Sequence, residues 1–314
     1  MVGLGTWQFG SREWGYGEAY ARDVAPALIR RAVELGITMI DTAEIYGPAH
    51  SERIIGEVLP QLPEEARTGL TVATKFMPVA PLEQFVAWQA AGSRRRLGMD
   101  ALDLYYAHWP NPFVSPRRVM QAVRPLREAG LVRNVGVSNY SLGAWQATER
   151  ALKAPVVANQ VRFSLLSPAP AETLVPWAAA KGRVVVAYSP LAQGLLTGPR
   201  DDEAAAAARG AADADAAADA APPQPNELRR RRLLSSGRLP VDPETVRGAL
   251  EDIGRAHGAT PAQVALAWVI GHPNTVAIPG ARTVRQLEQN AEAADLILAD
   301  AEMAQLTDLV RPAL

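Results

Sequence analysis

The sequence contains no cysteine among its 314 residues. That absence excludes disulfide bonds, metal sites built on thiolates and a cysteine nucleophile. Histidine is nearly as scarce, and the four present are His50, His108, His257 and His272. None of them has the H-x-H or H-E-x-x-H spacing with which many hydrolases hold a catalytic metal. We therefore expect no metal site, and a metal-dependent barrel hydrolase is the weakest alternative.

An excess of charge of one sign is also absent. The 32 basic and 33 acidic residues give a net charge of -1, so the composition indicates no polyanionic partner such as a nucleic acid. The sequence shows neither a run of 18 apolar residues nor a basic-then-apolar leader. This predicts a protein without a membrane span, most simply a cytoplasmic one. Nothing in the sequence predicts an oligomeric state.

Short apolar runs alternate with longer helical patterns along the chain. The predicted strands are 1–5, 37–41, 70–75, 102–107, 132–137, 156–160, 184–188 and 275–278. The predicted helices are 23–35, 51–59, 82–97, 117–128, 142–152, 171–180, 245–257, 261–269, 283–293 and 300–309. About eight strand–helix units match a single (β/α)8 TIM barrel over 1–314, of the α/β class, with extra C-terminal helices. A doubly wound sheet is the alternative, but no Gly-x-Gly-x-x-Gly follows the first strand.

The alternation is interrupted at 199–240, after the seventh strand. Thirteen of the eighteen residues at 204–221 are alanine, and three prolines and the arginines 229–232 follow. Alanine favours helix, yet no apolar stripe would dock one, so we predict a flexible, low-complexity insertion. We interpret the arginines as a solvated basic face rather than a nucleic-acid or phosphate site.

Polar residues suited to catalysis lie at the ends of predicted strands. Asp41 ends the second strand, and Tyr46 follows five residues later in a loop. Lys75 ends the third strand, and His108 follows the fourth. Because strand C-termini share one face of a barrel, these side chains are expected to converge there. Each residue alone also has a structural interpretation, and Ser51 is predicted to be the N-cap of the next helix.

Together with other motifs, these residues make the sequence resemble the aldo-keto reductases over nearly its whole length. The motifs that carry the resemblance are Gly5-Thr6-Trp7, Asp41-Thr42-Ala43-x-x-Tyr46-Gly47 with Glu52 and Gly56, Ala73-Thr74-Lys75, Asp103-Leu104-Tyr105-x-x-His108-Trp109-Pro110, Gly136-Val137-Ser138-Asn139, Asn159-Gln160, Tyr188-Ser189-Pro190-Leu191, and Ile278-Pro279-Gly280-Ala281-Arg282 with Asn290. Each motif alone is weak, and the set in this order is specific. The resemblance implies a (β/α)8 barrel, NADPH as hydride donor, and a catalytic tetrad of Asp41, Tyr46, Lys75 and His108.

The four residue types also suit the reduction of a carbonyl group. Hydride delivery to carbon leaves negative charge developing on oxygen, which needs a proton and a hydrogen-bond donor. We expect Tyr46 to donate the proton, its pKa lowered by the adjacent Lys75 cation. Asp41 is expected to keep Lys75 charged, and His108 to hold the carbonyl oxygen. No side chain supplies a hydride, so a cofactor must do so.

The resemblance further implies which residues hold the cofactor. They are Ser138, Asn139 and Gln160 at the nicotinamide carboxamide, Tyr188 on the nicotinamide ring, Ser189, Leu191 and Gly194 at the pyrophosphate, and Gly280, Ala281, Arg282, Gln286, Gln289 and Asn290 at the adenosine 2′-phosphate and adenine. The segment Gly5-Thr6-Trp7 and Asp41 complete the set. Members of the family with a lysine–serine pair in place of Gly280-Ala281 use that lysine on the phosphate. Here Arg282 and backbone N–H groups at a helix N-terminus are expected to replace it, so NADPH (NADP+) is predicted and NADH is the alternative.

Two departures from the family bear on what can be predicted. Relatives usually begin with a short hairpin that plugs the bottom of the barrel, whereas this sequence starts inside the first strand, so either the start is misassigned or the bottom is less covered. The insertion replaces a loop that often folds over cofactor or substrate. The expected partner is a small-molecule carbonyl compound. Trp7, Phe76, Trp109 and Phe113 lie at positions that suit an apolar mouth of the active site, and a core or rim role suits each of them equally well. A non-catalytic NADPH sensor, like the potassium-channel β-subunits of this superfamily, is the alternative function.

Overall fold

The fold was obtained as a computed structural model, which describes residues 1–10, 20–80, 82–197 and 241–311. Its strands are β1 Leu4–Gly5, β2 Met39–Asp41, β3 Thr71–Phe76, β4 Leu102–Ala107, β5 Val132–Ser138, β6 Val156–Arg162, β7 Val184–Tyr188 and β8 Thr275–Ala277. Each strand pairs in parallel with the next in chain order. Backbone bonds from Gly3 N to Ala277 O (2.8 Å) and from Gly5 N to Pro279 O (3.0 Å) join the first strand to the last. The predicted (β/α)8 barrel is confirmed, and the doubly wound alternative, which requires a reversal of strand order, is wrong.

Helices cover the outside of this barrel in the described part of the chain. They are α1 Ala25–Glu34, α2 His50–Val58, α3 Glu64–Thr68, α4 Glu83–Leu97, α5 Pro116–Glu128, α6 Leu142–Leu152, α7 Pro170–Thr173, α8 Val175–Lys181, α9 Pro243–His257, α10 Pro261–Ile270, α11 Val284–Glu292 and α12 Asp300–Val310. Short 3₁₀ turns cover Trp7–Gly10, Leu59–Gln61 and Ala192–Gly194, and a π turn covers Tyr20–Val24. No described helix has the length and apolar character needed to cross a membrane.

Two predictions about helices differ from the structure, and the predicted insertion falls outside the described residues. The helix predicted at 171–180 is two short helices, because Pro176 lacks an N–H and begins a new helix in its first turn. Ser51 is not an N-cap: α2 begins at His50, after Ala49 with φ 61°. The insertion predicted at 199–240 lies outside the described residues.

The barrel interior is a small apolar cluster that lies below the polar face. It consists of Met39, Ala73, Leu104, Tyr106, Ala158, Val186, Val276 and Ile278. Because successive strand residues face opposite sides, the residues two positions later on several strands face the same interior, one layer higher. Those residues include Asp41, Lys75, His108 and Gln160. The remaining apolar residues form the larger core between barrel and helices.

One position beside this interior cluster requires glycine. The ring of Tyr106 is fully buried and packs directly against the backbone of Gly136 on β5. A Cβ at Gly136 would lie 2.4 Å from Tyr106 Cε1. Gly136, part of a motif noted in the sequence, therefore makes room for an aromatic ring beneath the polar layer.

Candidate active site

Lys75 lies at the centre of the polar layer, and its ammonium group is completely buried. Its Nζ donates to Asp41 Oδ1 at 2.5 Å, to the backbone oxygen of Thr42 at 2.7 Å, and to Tyr46 Oη at 3.1 Å. A lysine ammonium has three donors, so each has an acceptor. Burial alone would lower the pKa of Lys75, but Asp41 and Tyr46 outweigh it and the pKa is raised. Lys75 is therefore a cation at neutral pH.

Asp41 is fixed by groups from two different strands. Its Oδ1 accepts from Lys75 on β3, and its Oδ2 accepts from Gln160 Nε2 on β6 at 2.6 Å. Burial raises the pKa of Asp41, while Lys75 and Gln160 act in the opposite direction. A buried ion pair is tolerated when hydrogen bonds satisfy the remaining lone pairs, and Gln160 supplies that bond here.

Tyr46 lies in the loop between β2 and α2 and is half-buried beside Lys75. The ammonium of Lys75 also lies 4.9 Å from the centre of the Tyr46 ring. The pKa of Tyr46 is raised because burial outweighs the opposing effect of Lys75. The expectation that Lys75 lowers this pKa overall is therefore wrong in net direction, and Tyr46 is protonated at neutral pH.

His108 follows β4 and faces Tyr46 edge to face, with ring centroids 5.9 Å apart. Burial, with a contribution from Lys75, lowers the pKa of His108 to about 3. Its imidazole is therefore neutral at physiological pH, with one N–H donor and one acceptor nitrogen. Within the described residues, its buried Nδ1 has no hydrogen-bond partner.

The residues at the C-terminal ends of β5 and β7 form a second polar group beside the first. Asn139 Nδ2 donates to Ser138 Oγ at 3.0 Å, and Tyr188 Oη donates to Asn139 Oδ1 at 2.9 Å. Asn139 has φ 63°, a left-handed conformation that asparagine adopts more readily than most residues. Ser138, Asn139 and Tyr188 are thus brought together, whereas the amide of Gln160 is turned toward Asp41.

The loop after β7 has an unusual backbone. Ser189, Ala192, Gln193 and Gly194 all have positive φ, between 48° and 90°. Leu191 accepts a backbone bond from Gly194 N at 3.0 Å. Turns that combine right- and left-handed residues can form anion-binding concavities from their N–H groups, although here the N–H groups of Ala192 and Gly194 bond to Ser189 O and Leu191 O within the loop. The predicted residues Ser189, Leu191 and Gly194 lie on this loop.

The turn after β8 contains the remaining predicted residues. Gln286 Oε1 accepts from Arg282 N at 2.9 Å, and Thr283 caps α11 by accepting from Gln286 N. Asn290 Nδ2 donates to Gly280 O at 3.4 Å. Two of the N–H groups expected to hold a phosphate are therefore bonded within the turn itself. Gln289 lies on the same helix and is partly buried.

Two residues that the sequence did not identify support this turn. Gln8 Nε2 donates to Ala281 O at 2.9 Å and to Gly5 O at 3.2 Å. Tyr20 Oη donates to the same Ala281 oxygen at 3.2 Å. Gln8 directly follows the Gly5-Thr6-Trp7 motif, so its position beside that motif is the one signal that could have indicated it.

Two other motif residues, Glu52 and Gly56, serve α2 rather than the site. The buried Glu52 carboxylate accepts from Thr74 Oγ1 and from Arg96 Nε, each at 2.6 Å. A Cβ at Gly56 would lie 2.0 Å from Arg96 O, so glycine lets α2 approach α4 closely. These contacts fix α2 against β3, next to Lys75.

The aromatic residues expected at the mouth divide into two kinds. Phe76 is fully buried and packs on Tyr105, with ring centroids 4.9 Å apart, so it belongs to the core. Trp109 is 45% exposed and stacks beside His108, and Phe113 is 95% exposed. Trp7 is partly buried. Of the two roles left open by the sequence, Phe76 therefore has the core role.

Among the described residues, no group of three His, Asp or Glu side chains is arranged to hold a metal ion.

Comparisons with known proteins agree with this fold. The family model described as the aldo/keto reductase family matches residues 1–311. An uncharacterized oxidoreductase of Mycobacterium tuberculosis is 44% identical over 312 residues, covering 99% of this chain and 89% of the relative. A methylglyoxal reductase of Escherichia coli is 32% identical over 306 residues, covering 97% and 89%. An aldo/keto reductase of Klebsiella pneumoniae, solved in complex with NADP and acetate, superposes with a TM-score of 0.73 at 28% identity, covering 99% of this chain and 92% of that one. The chain therefore belongs to the aldo/keto reductase family of oxidoreductases.

Proposed function

We propose that this protein is an NADP(H)-dependent carbonyl reductase in which Tyr46 is the general acid. The observation that carries the proposal is the hydrogen bonding of Lys75. Because all three ammonium donors have acceptors, Tyr46 Oη accepts from Lys75, and the phenolic proton is left to donate elsewhere. The edge-on ring of His108 limits where a substrate oxygen can lie to receive that proton.

The raised pKa of Tyr46 suits a proton donor in the resting protein. The phenol is fully protonated at neutral pH because burial disfavours the phenolate. When a substrate oxygen gains negative charge, the proton moves from Tyr46 Oη to that oxygen, and the new phenolate lies 3.1 Å from the Lys75 cation. At an effective dielectric of about 20 the attraction is about 5 kcal/mol, which offsets much of the burial penalty. Lys75 therefore stabilises the Tyr46 phenolate formed by the proton transfer more than it stabilises the protonated phenol.

His108 is proposed to hold the substrate oxygen in line with Tyr46. A histidine whose pKa is about 3 stays neutral, so it donates a hydrogen bond without competing for the Tyr46 proton. Asp41 touches no substrate in this proposal. It keeps Lys75 charged and oriented, with Gln160 fixing its second oxygen.

The cofactor supplies the hydride, and the chain's residues suit its binding. Ser138, Asn139, Gln160 and Tyr188 are proposed for the nicotinamide, with the Gly5-Thr6-Trp7 segment beside it. The positive-φ loop with Ser189, Leu191 and Gly194 is proposed for the pyrophosphate. The Klebsiella pneumoniae relative that was solved with NADP supports NADPH as the cofactor. NADH is proposed as the weaker partner.

The adenosine end of the coenzyme is proposed to lie at the turn formed by Gly280, Ala281 and Arg282. The residues Gln286, Gln289 and Asn290 on α11 are proposed to contact the same end. Glu288 is the carboxylate of this segment, and it is paired with Arg31 of α1 at 2.8 Å. Its negative charge is therefore paired with a cation outside the turn. Because Gln286 and Thr283 satisfy two N–H groups of the turn, we assign discrimination for the 2′-phosphate mainly to the guanidinium of Arg282.

The test is NADPH oxidation, followed at 340 nm, with a panel of aldehydes, ketones and sugar-derived carbonyls. Methylglyoxal comes first, because a relative at 32% identity is named for its reduction. We expect turnover of at least one compound and slower turnover with NADH. Tight NADPH binding without turnover of any panel member would instead support the cofactor-sensor alternative.

A further inference from the structure

Three buried hydroxyl groups connect the strand that carries Asp41 to the helix that follows Tyr46. They belong to Thr6 after β1, Thr42 after β2 and Ser51 in α2, and all three side chains are fully buried. Thr42 Oγ1 donates to Ser51 Oγ at 2.9 Å, and Ser51 Oγ lies 2.7 Å from Thr6 Oγ1. Thr6 Oγ1 donates in turn to the backbone oxygen of Asp41 at 2.8 Å. We call these residues the hydroxyl chain.

The number of protons gives the hydroxyl chain a direction. Each hydroxyl has a single proton to donate. Thr6 uses its proton on Asp41 O, so in the pair with Ser51 it must accept. Ser51 therefore donates to Thr6, whose backbone oxygen at 3.2 Å is a second acceptor beside Oγ1, and it accepts from Thr42. The chain runs from Thr42 through Ser51 and Thr6 to Asp41, and its members are too buried for water to replace one easily.

Ser51 also contacts the segment that carries the proposed acid. Its backbone N–H donates to the backbone oxygen of Tyr46 at 3.3 Å. At the other end of this loop, the backbone oxygen of Thr42 accepts from Lys75 Nζ at 2.7 Å. Ser51 is thus bonded directly to Tyr46 and, through one hydroxyl, to a residue that ligates the Lys75 ammonium.

We propose that Ser51 is a positioning residue for catalysis, which sets the Tyr46 hydroxyl at its distance from Lys75 through the hydroxyl chain. The inference rests on the proposed function, because it assumes that Tyr46 donates the proton. Loss of the Ser51 hydroxyl leaves Thr42 without its acceptor and Thr6 without its donor. The loop from residue 42 to residue 46 is then held to α2 by backbone bonds alone. A displacement of the acid by even 1 Å can cost about 100-fold in rate.

The test compares Ser51→Ala with Ser93→Ala in steady-state reduction of a carbonyl that the wild type turns over. Ser93 is a matched control, since it is also a fully buried serine, on α4, whose Oγ accepts only from Arg96 at 3.3 Å among the described residues. We expect Ser51→Ala to lower kcat between about 10- and 100-fold while the Kd for NADPH stays within twofold of the wild-type value. Ser93→Ala should retain wild-type kcat.

A second pair keeps the test decisive if Ser51→Ala does not fold. Thr42→Val preserves shape and removes the first donor of the hydroxyl chain. Thr148→Val removes a buried hydroxyl of α6 that, in the described part of the chain, bonds only within its own helix. We expect only Thr42→Val to lower kcat. Ser51→Ala should have no further effect on kcat in a Tyr46→Phe background, because Ser51 acts only through the Tyr46 hydroxyl. A purely structural defect would instead add to the loss caused by Tyr46→Phe.

The outcomes separate this inference from the proposed function. If Tyr46→Phe abolishes turnover but Ser51→Ala and Thr42→Val match their controls, the positioning role is overturned and the proposed function stands. Parallel losses of kcat and NADPH affinity would overturn it too, because the effect would then not be specific to the acid. If the wild-type protein reduces no carbonyl compound, the proposed function itself is wrong.

Discussion

Gln160 donates its side-chain amide to Asp41 Oδ2 at 2.6 Å, although 119 positions separate the two residues in the sequence. The bond crosses the barrel from β6 to β2 and completes the hydrogen bonding of a carboxylate that already binds Lys75. It leaves Gln160 with one amide N–H and its carbonyl oxygen. Gln160 can therefore orient Asp41 and still serve the coenzyme position that we propose for it.

Replacing Tyr46 with phenylalanine should remove the proton donor and keep the shape of the site. We expect kcat to fall by about 10²–10⁴, the usual contribution of general acid catalysis, with the Kd for NADPH nearly unchanged. Tyr140→Phe is the control, because the Tyr140 hydroxyl is buried without a partner in the described residues and has no role in the site. A Tyr46→Phe protein with near-normal kcat would show that the acid is misassigned.

The buried, neutral His108 should make the free energy of unfolding of the wild-type protein fall as the pH is lowered. Its pKa is about 3 in the folded protein because of burial and Lys75, against about 6.5 in an unfolded chain. Between these values the unfolded state binds a proton that the folded state does not, so stability falls as the pH falls from about 6.5. The free energy of unfolding falls by about 1.4 kcal/mol per pH unit down to about pH 3.

The measurement is the free energy of unfolding by urea between pH 4.5 and 7.5 for wild type and His108→Gln. Asp41, Glu44 and His272 also have shifted pKa values, but their effects are shared by both proteins and cancel in the difference. We expect that difference to decline with falling pH at the slope given above. Parallel curves for the two proteins would mean that His108 titrates normally.

Removal of the Arg282 side chain should change coenzyme choice. A charge-assisted hydrogen bond to phosphate is worth about 1.5–3 kcal/mol, or about ten- to 150-fold in affinity. We expect Arg282→Ala to weaken the binding of NADPH by that factor and to leave the affinity for NADH nearly unchanged. Fluorescence titration of both coenzymes measures the two affinities. Arg255→Ala is the control, since that side chain is exposed on α9 and pairs with Asp252. Equal losses for both coenzymes, or none, would shift attention to Arg285 or to the arginines 229–232.

Two glycine-to-alanine changes should have opposite effects on stability. A Cβ at Gly136 would lie 2.4 Å from the buried ring of Tyr106, and overpacking of this kind costs about 1–3 kcal/mol. A Cβ at Gly248, within α9, meets nothing within 4 Å, so alanine there should stabilise the helix by about 0.5–1 kcal/mol. Urea denaturation of both variants tests the pair, and a neutral Gly136→Ala would show that Tyr106 can move.

The fold was predictable because its signals are local. Apolar runs such as 102–107 alternate with helical patterns, and that alternation predicts a parallel α/β fold whose strand ends meet on one face. The count of about eight units and the missing Gly-x-Gly-x-x-Gly then favour the barrel over a doubly wound sheet. The break at Pro176 could also have been identified from the sequence, since proline begins helices more readily than it continues them.

Several features of the site were not predictable because they depend on distant contacts. Ser51 has the local pattern of an N-cap, and only the approach of Thr6 and Thr42 turns it inward. The pKa of Tyr46 depends on how deeply the loop is buried, which no spacing reveals. Likewise, Glu288 looks available to oppose Arg282 until Arg31 of α1 is found against it.

The seam between the first and last strands has a consequence for folding. The bonds that close it join residues 3 and 277, and contacts so distant in sequence form slowly because a long loop must be ordered first. Asp41, Tyr46 and Lys75 come from adjacent segments near the start of the chain, whereas the turn at Gly280 is held by Gln8 across the seam. A folding chain can thus assemble the proton-donating residues before the coenzyme site exists. We expect NADPH affinity to be the last property acquired during refolding, appearing only as the two ends of the barrel join.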